Sequence, residues 1–296
     1  MGIEGRMHVL WGRVLLGCAV AVAMWMAPMG AAFAGGRGEV RKQTEMSMLL
    51  NGQIVIERDG TVQEYVLDDA AGLPPVTTQL LDKATRHWRF DPIAVDGNPV
   101  RARTAMSVRL VAKPLEDGRF DVRVAAANFG KPGEGEFITS SAPLKPPRYP
   151  ELAGASGVGG TVYVVVRVGR DGKVEDAMAE QVNLRVVDTE NGMARWRDML
   201  AQAALRGARN WTFVPPTKGD EVDEPFWLAR VPVDFLLHDQ ETVKPGKWEA
   251  YIPGPRQTAP WLGGVDTSLG ADAVAGSGIF PVKGGPRLLT PLDEGT

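Results

Sequence analysis

Residues 161–182 read TVYVVVRVGRDGKVEDAMAEQV, and this stretch decides the fold. It opens with a β-branched run, Thr161–Val168, of the kind enriched in strands. Asp171-Gly172 follows, and both residue types tolerate the positive φ that tight two-residue turns demand. Val174–Val182 then returns. Two apolar runs around Asp-Gly read as a β-hairpin.

Downstream, the spacing predicts a helix over about Met193–Asn210. Trp196, Leu200, Ala204, Ala208 and Trp211 recur at helical spacing and make one apolar face. Phe213 and Pro215-Pro216 close it. A turn region over Lys218–Glu224 leads into a last strand, Trp227–Leu237. The order is strand, strand, helix, strand.

Upstream the same order recurs. Ile54-Val55-Ile56 precedes Asp59-Gly60, and Val62–Leu67 follows it, a second hairpin. Pro74-Pro75 stops the strand. Val76, Leu80, Ala84 and Trp88, with Leu81 beside them, form a helix face that ends at Phe90-Asp91-Pro92. A turn over Asp96–Pro99 leads into Thr104–Val111, which alternates as a half-buried strand does. Asp-Gly-Thr-Val at 59–62 matches Asp-Gly-Lys-Val at 171–174, and Trp-Arg-Phe-Asp-Pro at 88–92 matches Trp-Thr-Phe-Val-Pro at 211–215. The downstream copy carries extra residues over Asn183–Gly192. The pattern reads as a diverged internal duplication. The expected fold class is α+β: two small β-β-α-β modules, each a three-stranded antiparallel sheet packed on a helix.

Phe120–Ala126 reads as an extra strand, so the first module is expected over 46–127. Residues 128–147 are rich in Gly, Pro and Ser and read as a linker to the second module, 148–238. The tail, 239–296, holds 7 Pro and 10 Gly without period and is expected to be largely irregular. Trp248, Tyr251 and Trp261 are candidates for pinning it to the second module.

The N-terminal residues 1–34 read as a cleaved signal peptide. A basic stretch ends at Arg13, Val14–Met26 is apolar, Pro28 breaks it, and Ala32-Phe33-Ala34 is a small-x-small ending. The alternative is a retained anchor, since Val14–Ala34 is uncharged and a spanning helix needs ~20 such residues. Met1–Arg6, ahead of a second Met, reads as a scar or an upstream start. Cys18 is the only cysteine, so a chain cleaved after Ala34 has no disulfide and no thiolate metal site. Thirty-three basic and 36 acidic side chains give a net charge of -3 with no basic stripe, which argues against nucleic acid as a partner.

The second copy resembles the C-terminal domain of the TonB family of periplasmic energy transducers. The residues that carry the resemblance are Tyr149, Pro150, Ala153, Gly157 and Gly160, then the turn Asp171-Gly172, then Trp211-x-Phe213-x-Pro215, then Val231-Pro232-Val233-x-Phe235-x-Leu237. The first copy keeps the turn and the Trp-x-Phe-x-Pro ending but lacks the Tyr-Pro-x-x-Ala opening. The resemblance implies a periplasmic module that contacts outer-membrane transporters or other envelope proteins by β-strand addition, in TonB-dependent transport. Unpaired backbone groups on a sheet edge are the physical basis of such binding. The expected edge comprises Arg230, Val231, Val233, Phe235 and Leu237. Pro232 suits an edge because it cannot donate to a central ladder. Two features depart from the family: a leader that looks cleavable, and only Gly35–Glu45 ahead of the first module, a reach of at most ~40 Å. The competing reading is a structural scaffold whose modules pair with each other or form a homodimer, with no transport role. A membrane location requires the N-terminal segment to be retained, which would make the protein inner-membrane anchored.

Catalytic patterns are weak. Gly154-x-x-Gly157-x-Gly159-Gly160 precedes a strand rather than a helix, unlike a phosphate loop. His8, His87 and His238 are isolated, so no metal site is expected. Asp68-Asp69 and the acids of 220–224 lie in expected turns. Trp88, Phe90, Trp211 and Phe213 are read as core. The expectation is a protein that is not an enzyme and needs no cofactor.

Overall fold

In the computed structural model of the chain, the described residues are 35–130, 133–238, 244–263, 271, 274, 278–282 and 285–292. All of them fall in one compact unit, Ala34–Thr296. The signal-peptide reading of 1–34 lies outside the described residues.

The elements in chain order are α1 (Arg37–Lys42), β1 (Glu45–Ile56), β2 (Val62–Leu67), α2 (Pro75–His87), β3 (Ala94–Val95), β4 (Asn98–Pro99), β5 (Ala102–Pro114), β6 (Phe120–Phe129), α3 (Glu151–Ala155), β7 (Gly160–Gly169), β8 (Val174–Leu184), α4 (Glu190–Ala208), β9 (Phe226–Phe235), β10 (Trp248–Tyr251) and β11 (Phe280–Pro281). Both hairpins form as their turn residues demand. Gly60 and Gly172 take φ of 82° and 75°, and Asp59 and Asp171 each accept the backbone N–H two residues on, at 3.0 Å. Each turn glycine also locks onto the chain after its helix. Phe90 N–H donates to Gly60 O at 2.8 Å, and Phe213 N–H donates to Gly172 O at 2.7 Å.

The second sheet is antiparallel, ordered β11-β9-β7-β8. Central β7 is buried along its length except at Arg167. One face, with Val162, Val164, Val166, Val168, Val231 and Val233, packs under α4 through Trp196, Leu200, Ala204 and Ala208. At ~1.5–3 kcal/mol for each fully buried large aliphatic, this layer is the main source of stability here. The helix begins at Glu190, ahead of the expected Met193, because Thr189 caps it by accepting the N–H of Gly192 at 3.2 Å.

The first sheet is ordered β10-β1-β5-β6, with β2 also on β1. Leu81, Ala84, Trp88 and Phe90 cover one face, packed on Ile54, Ile56, Met106, Val108 and Phe129. The three-stranded expectation is corrected in both places, to five strands and four. The additions are β6, which extends the expected Phe120–Ala126 strand, and the tail strands β10 and β11. The tail is therefore more ordered than its Pro and Gly content suggested. It crosses from one sheet to the other: Tyr251 pairs with Glu45, and the next residue, Ile252, bridges Leu184 at the end of β8. Arg185, the residue after β8, also pairs with Glu249 of β10.

The segment read as a linker is packed too. Phe137 and Ile138 are buried in the second core, Thr139 bridges Val214, and Trp211 Nε1 donates to Lys145 O at 2.9 Å. The last described residues do the same for the first sheet. Leu288 bridges Phe90, and Trp88 Nε1 donates to Leu292 O at 3.3 Å. Trp88 and Trp211 thus each donate to a backbone carbonyl of a segment far off in the chain.

Candidate partner-binding edge

Strand β9 lies between β7 and the short β11. Phe280 faces Arg230, Pro281 faces Ala229, and Val282 N–H donates to Leu228 O at 3.2 Å. That bond fixes the orientation of the strand. Leu228, Arg230, Pro232 and Asp234 turn their backbone groups to the outer edge, and Ala229, Val231, Val233 and Phe235 turn theirs to β7. Pro232 thus sits where its missing N–H disturbs no bond to β7. Tail residues cover the edge at 228–230. Beyond that point no strand lies beside β9 among the described residues.

The side chains expected at the edge are mostly inside. Val231, Val233 and Phe235 are buried beneath α4, as backbone-directed pairing allows. Leu237 lies past the end of the strand and is half-buried. Arg230 points to the opposite face. Its Nε and Nη2 donate to the two carboxylate oxygens of Glu180 at 2.6 and 3.1 Å, and Arg256 from the tail reaches the same carboxylate at 2.8 Å. The Glu180 side chain is only 1% exposed. A buried carboxylate held by two guanidiniums is a structural clamp that ties β8, β9 and the tail together. Asp234 Oδ1 accepts from Thr161 at 2.5 Å and lies 3.5 Å from Arg185.

The opening motif is gathered at one end of this sheet. Tyr149 packs edge-on against Phe235, ring centroids 5.4 Å apart, and its hydroxyl donates to Val158 O at 2.7 Å. Burial raises the pKa of that hydroxyl. Pro150 caps α3, Ala153 is fully buried, and Gly157 takes a φ of 67°. Gly160 is obligatory for a different reason: a Cβ there would lie 2.4 Å from Asn183 O. The motif therefore seats β7 and β9 rather than forming a pocket.

Sequence reasoning missed Glu180, Arg256 and β11. Glu180, one of two Glu in the run 174–182, is a faint signal, and its partners are 50 and 76 positions away. Among the described residues no helix is long and apolar enough to cross a membrane, and no group of three or more His, Cys, Asp or Glu could hold a metal.

Residues 145–237 match the family described as Gram-negative bacterial TonB protein C-terminal. The TonB resemblance read from Tyr149 to Leu237 is therefore supported over that segment. A curated relative, Protein tonB2 of Pseudomonas aeruginosa, is 32% identical over 92 residues, which make up 31% of this chain. The aligned part spans only 29% of that relative's length. No solved structure matches the chain.

Proposed function

We propose that this chain is a periplasmic protein of a Gram-negative envelope that captures extended segments of other envelope proteins, outer-membrane transporters among them, by strand addition along β9. It acts by binding and not by catalysis, and the two sheets with their helices are diverged copies of one module. The observation that carries the reading is the outer edge of β9 within the TonB-matching segment. Past Arg230 that edge carries both backbone groups of half-buried Asp234 with no strand beside them among the described residues. The tail already adds a strand at Arg230 and Ala229, so the edge is competent to pair. The test is hydrogen exchange on the full chain with synthetic periplasmic segments of outer-membrane transporters. Binding with slowed exchange at Asp234 is expected. Absence of binding, or binding that leaves Asp234 unprotected, refutes it.

A scaffold role is the second reading, favoured by the Ile252–Leu184 bridge and the Arg185–Glu249 pair, which spend tail contacts on joining the sheets. A strain lacking the protein separates the two: normal uptake of iron chelates with altered envelope integrity selects the scaffold.

A further inference from the structure

Several other sheet edges are partly covered by the chain itself. Gln257 N–H donates to Glu180 O on β8 at 2.7 Å, β10 lies on the first half of β1, β11 lies on β9, and Gly285 approaches Phe129 O at the end of β6. Strand β2 differs. It pairs with β1 alone, and its free side faces a groove of about 530 Å³ whose far wall is α2. That volume is within the ~300–1,000 Å³ of ligand clefts.

The backbone orientation is set at one end. Asp68 N–H donates to Asn51 O at 3.0 Å, so Glu64 and Val66 turn inward to β1 while Tyr65 and Leu67 turn their N–H and C=O groups to the groove. No backbone group of the described residues bonds to the backbone of Tyr65 or Leu67 on that side. Tyr65 spans from β2 to the helix, its hydroxyl donating to Asp82 Oδ1 at 2.7 Å. Burial, then that hydrogen bond, keeps the phenol protonated and donating. On the other face of β2, Val66 is 55% exposed.

Arg86 lines the groove at one end, Glu64 and Asp82 line it between, and Asp68 and Asp69 stand just past its other end. The Thr61–Arg89 bridge puts the C-terminal end of α2, with Arg86, beside the start of β2. Exposed Asp68 and Asp69 follow the end of β2. An incoming strand prefers the antiparallel sense. It then enters with its N-terminal end at Asp68-Asp69 and leaves with its C-terminal end at Arg86.

We infer that the β2–α2 groove is a second docking site, taking an extended segment of a partner protein that is basic at its N-terminal end, acidic at its C-terminal end and β-branched between. This site is separate from β9 and stands whether or not β9 binds.

The test uses the full chain and a capped peptide of sequence Lys-Thr-Val-Thr-Val-Glu. Expected are binding by fluorescence anisotropy and slowed exchange of the Tyr65 and Leu67 amides. N-methylation of alternate peptide nitrogens, exchange of the terminal Lys and Glu, and Arg86→Glu should each weaken binding by about tenfold. Arg86 is exposed on the helix, so the thermal midpoint of Arg86→Glu should match that of the parent. Asp68→Lys is the second variant, with the same expectation. No binding at about millimolar peptide, or indifference to both charge variants and N-methylation, overturns the inference. Protection at Asp234 in place of Tyr65 and Leu67 also overturns it, while leaving the β9 reading intact.

Discussion

At Gly172 two constraints coincide. Its φ is 75°, and an added Cβ would lie 2.1 Å from Phe213 O, against the bond that ties the hairpin to the chain after α4. Gly97 has a similar φ of 77° with nothing near its Cβ position. Gly97→Ala should therefore lose only ~1 kcal/mol of conformational strain, and Gly172→Ala ~2–4 kcal/mol, measured by urea unfolding. Equal losses would show that the close approach does not matter. Glu180 offers a second residue-level test. Glu180→Gln leaves two guanidiniums facing a neutral amide in a buried site, and a loss of ~3–5 kcal/mol is expected. The double change Glu180→Leu with Arg230→Met removes the buried pair together and should cost much less.

Among the elements, the N-terminus of α4 carries the clearest pH signal. Asp188 accepts from Trp196 Nε1 at 2.9 Å and from Thr189 N–H, and these bonds, with Arg37, lower its pKa. A depressed carboxylate stabilises the fold above its ordinary value of ~4 and loses that contribution as pH falls through its lower folded value. Asp188→Asn should flatten the decline of the melting temperature below pH ~4; an unchanged slope removes the assignment. At β11, Val282→Pro deletes the donor to Leu228 O. Faster exchange at Arg230 is expected, together with stronger capture of transporter segments if β9 binds them. The long elements were legible because their signals are local. Asp-Gly turns, β-branched runs and helical spacing fix β7, β8, α4 and most of β9 within a few residues. The cap at Thr189 is equally local, and it moves the helix start from the expected Met193 to Glu190. Strands β10 and β11 were not legible: four and two residues long, they exist because distant edges lacked partners. The candidate edge was readable as a strand, but its clamp, Glu180 with Arg230 and Arg256, depends on a fold no spacing rule encodes.

Across the whole molecule, the tail makes one unit out of two sheets. It adds to β1, bridges β8, adds to β9 and ends against Phe90. Ending the chain after Gly285 removes the acceptor for Trp88 Nε1 and the buried Leu288. Sheet 1 amides should then exchange faster while those of β7 and β8 hold, with a loss of ~2–4 kcal/mol in the first unfolding transition.

Trp88 and its acceptor Leu292 stand 204 positions apart in the chain. The closure of a loop this long comes late and slowly in folding. The second sheet draws its opening segment from nearby residues and can mature early. The seam around Trp88 and Phe90 stays open until residues 288–292 dock on it. A fragment that stops short of Leu288 should therefore bind an apolar dye more strongly than the full chain, through the uncovered seam at Trp88 and Phe90.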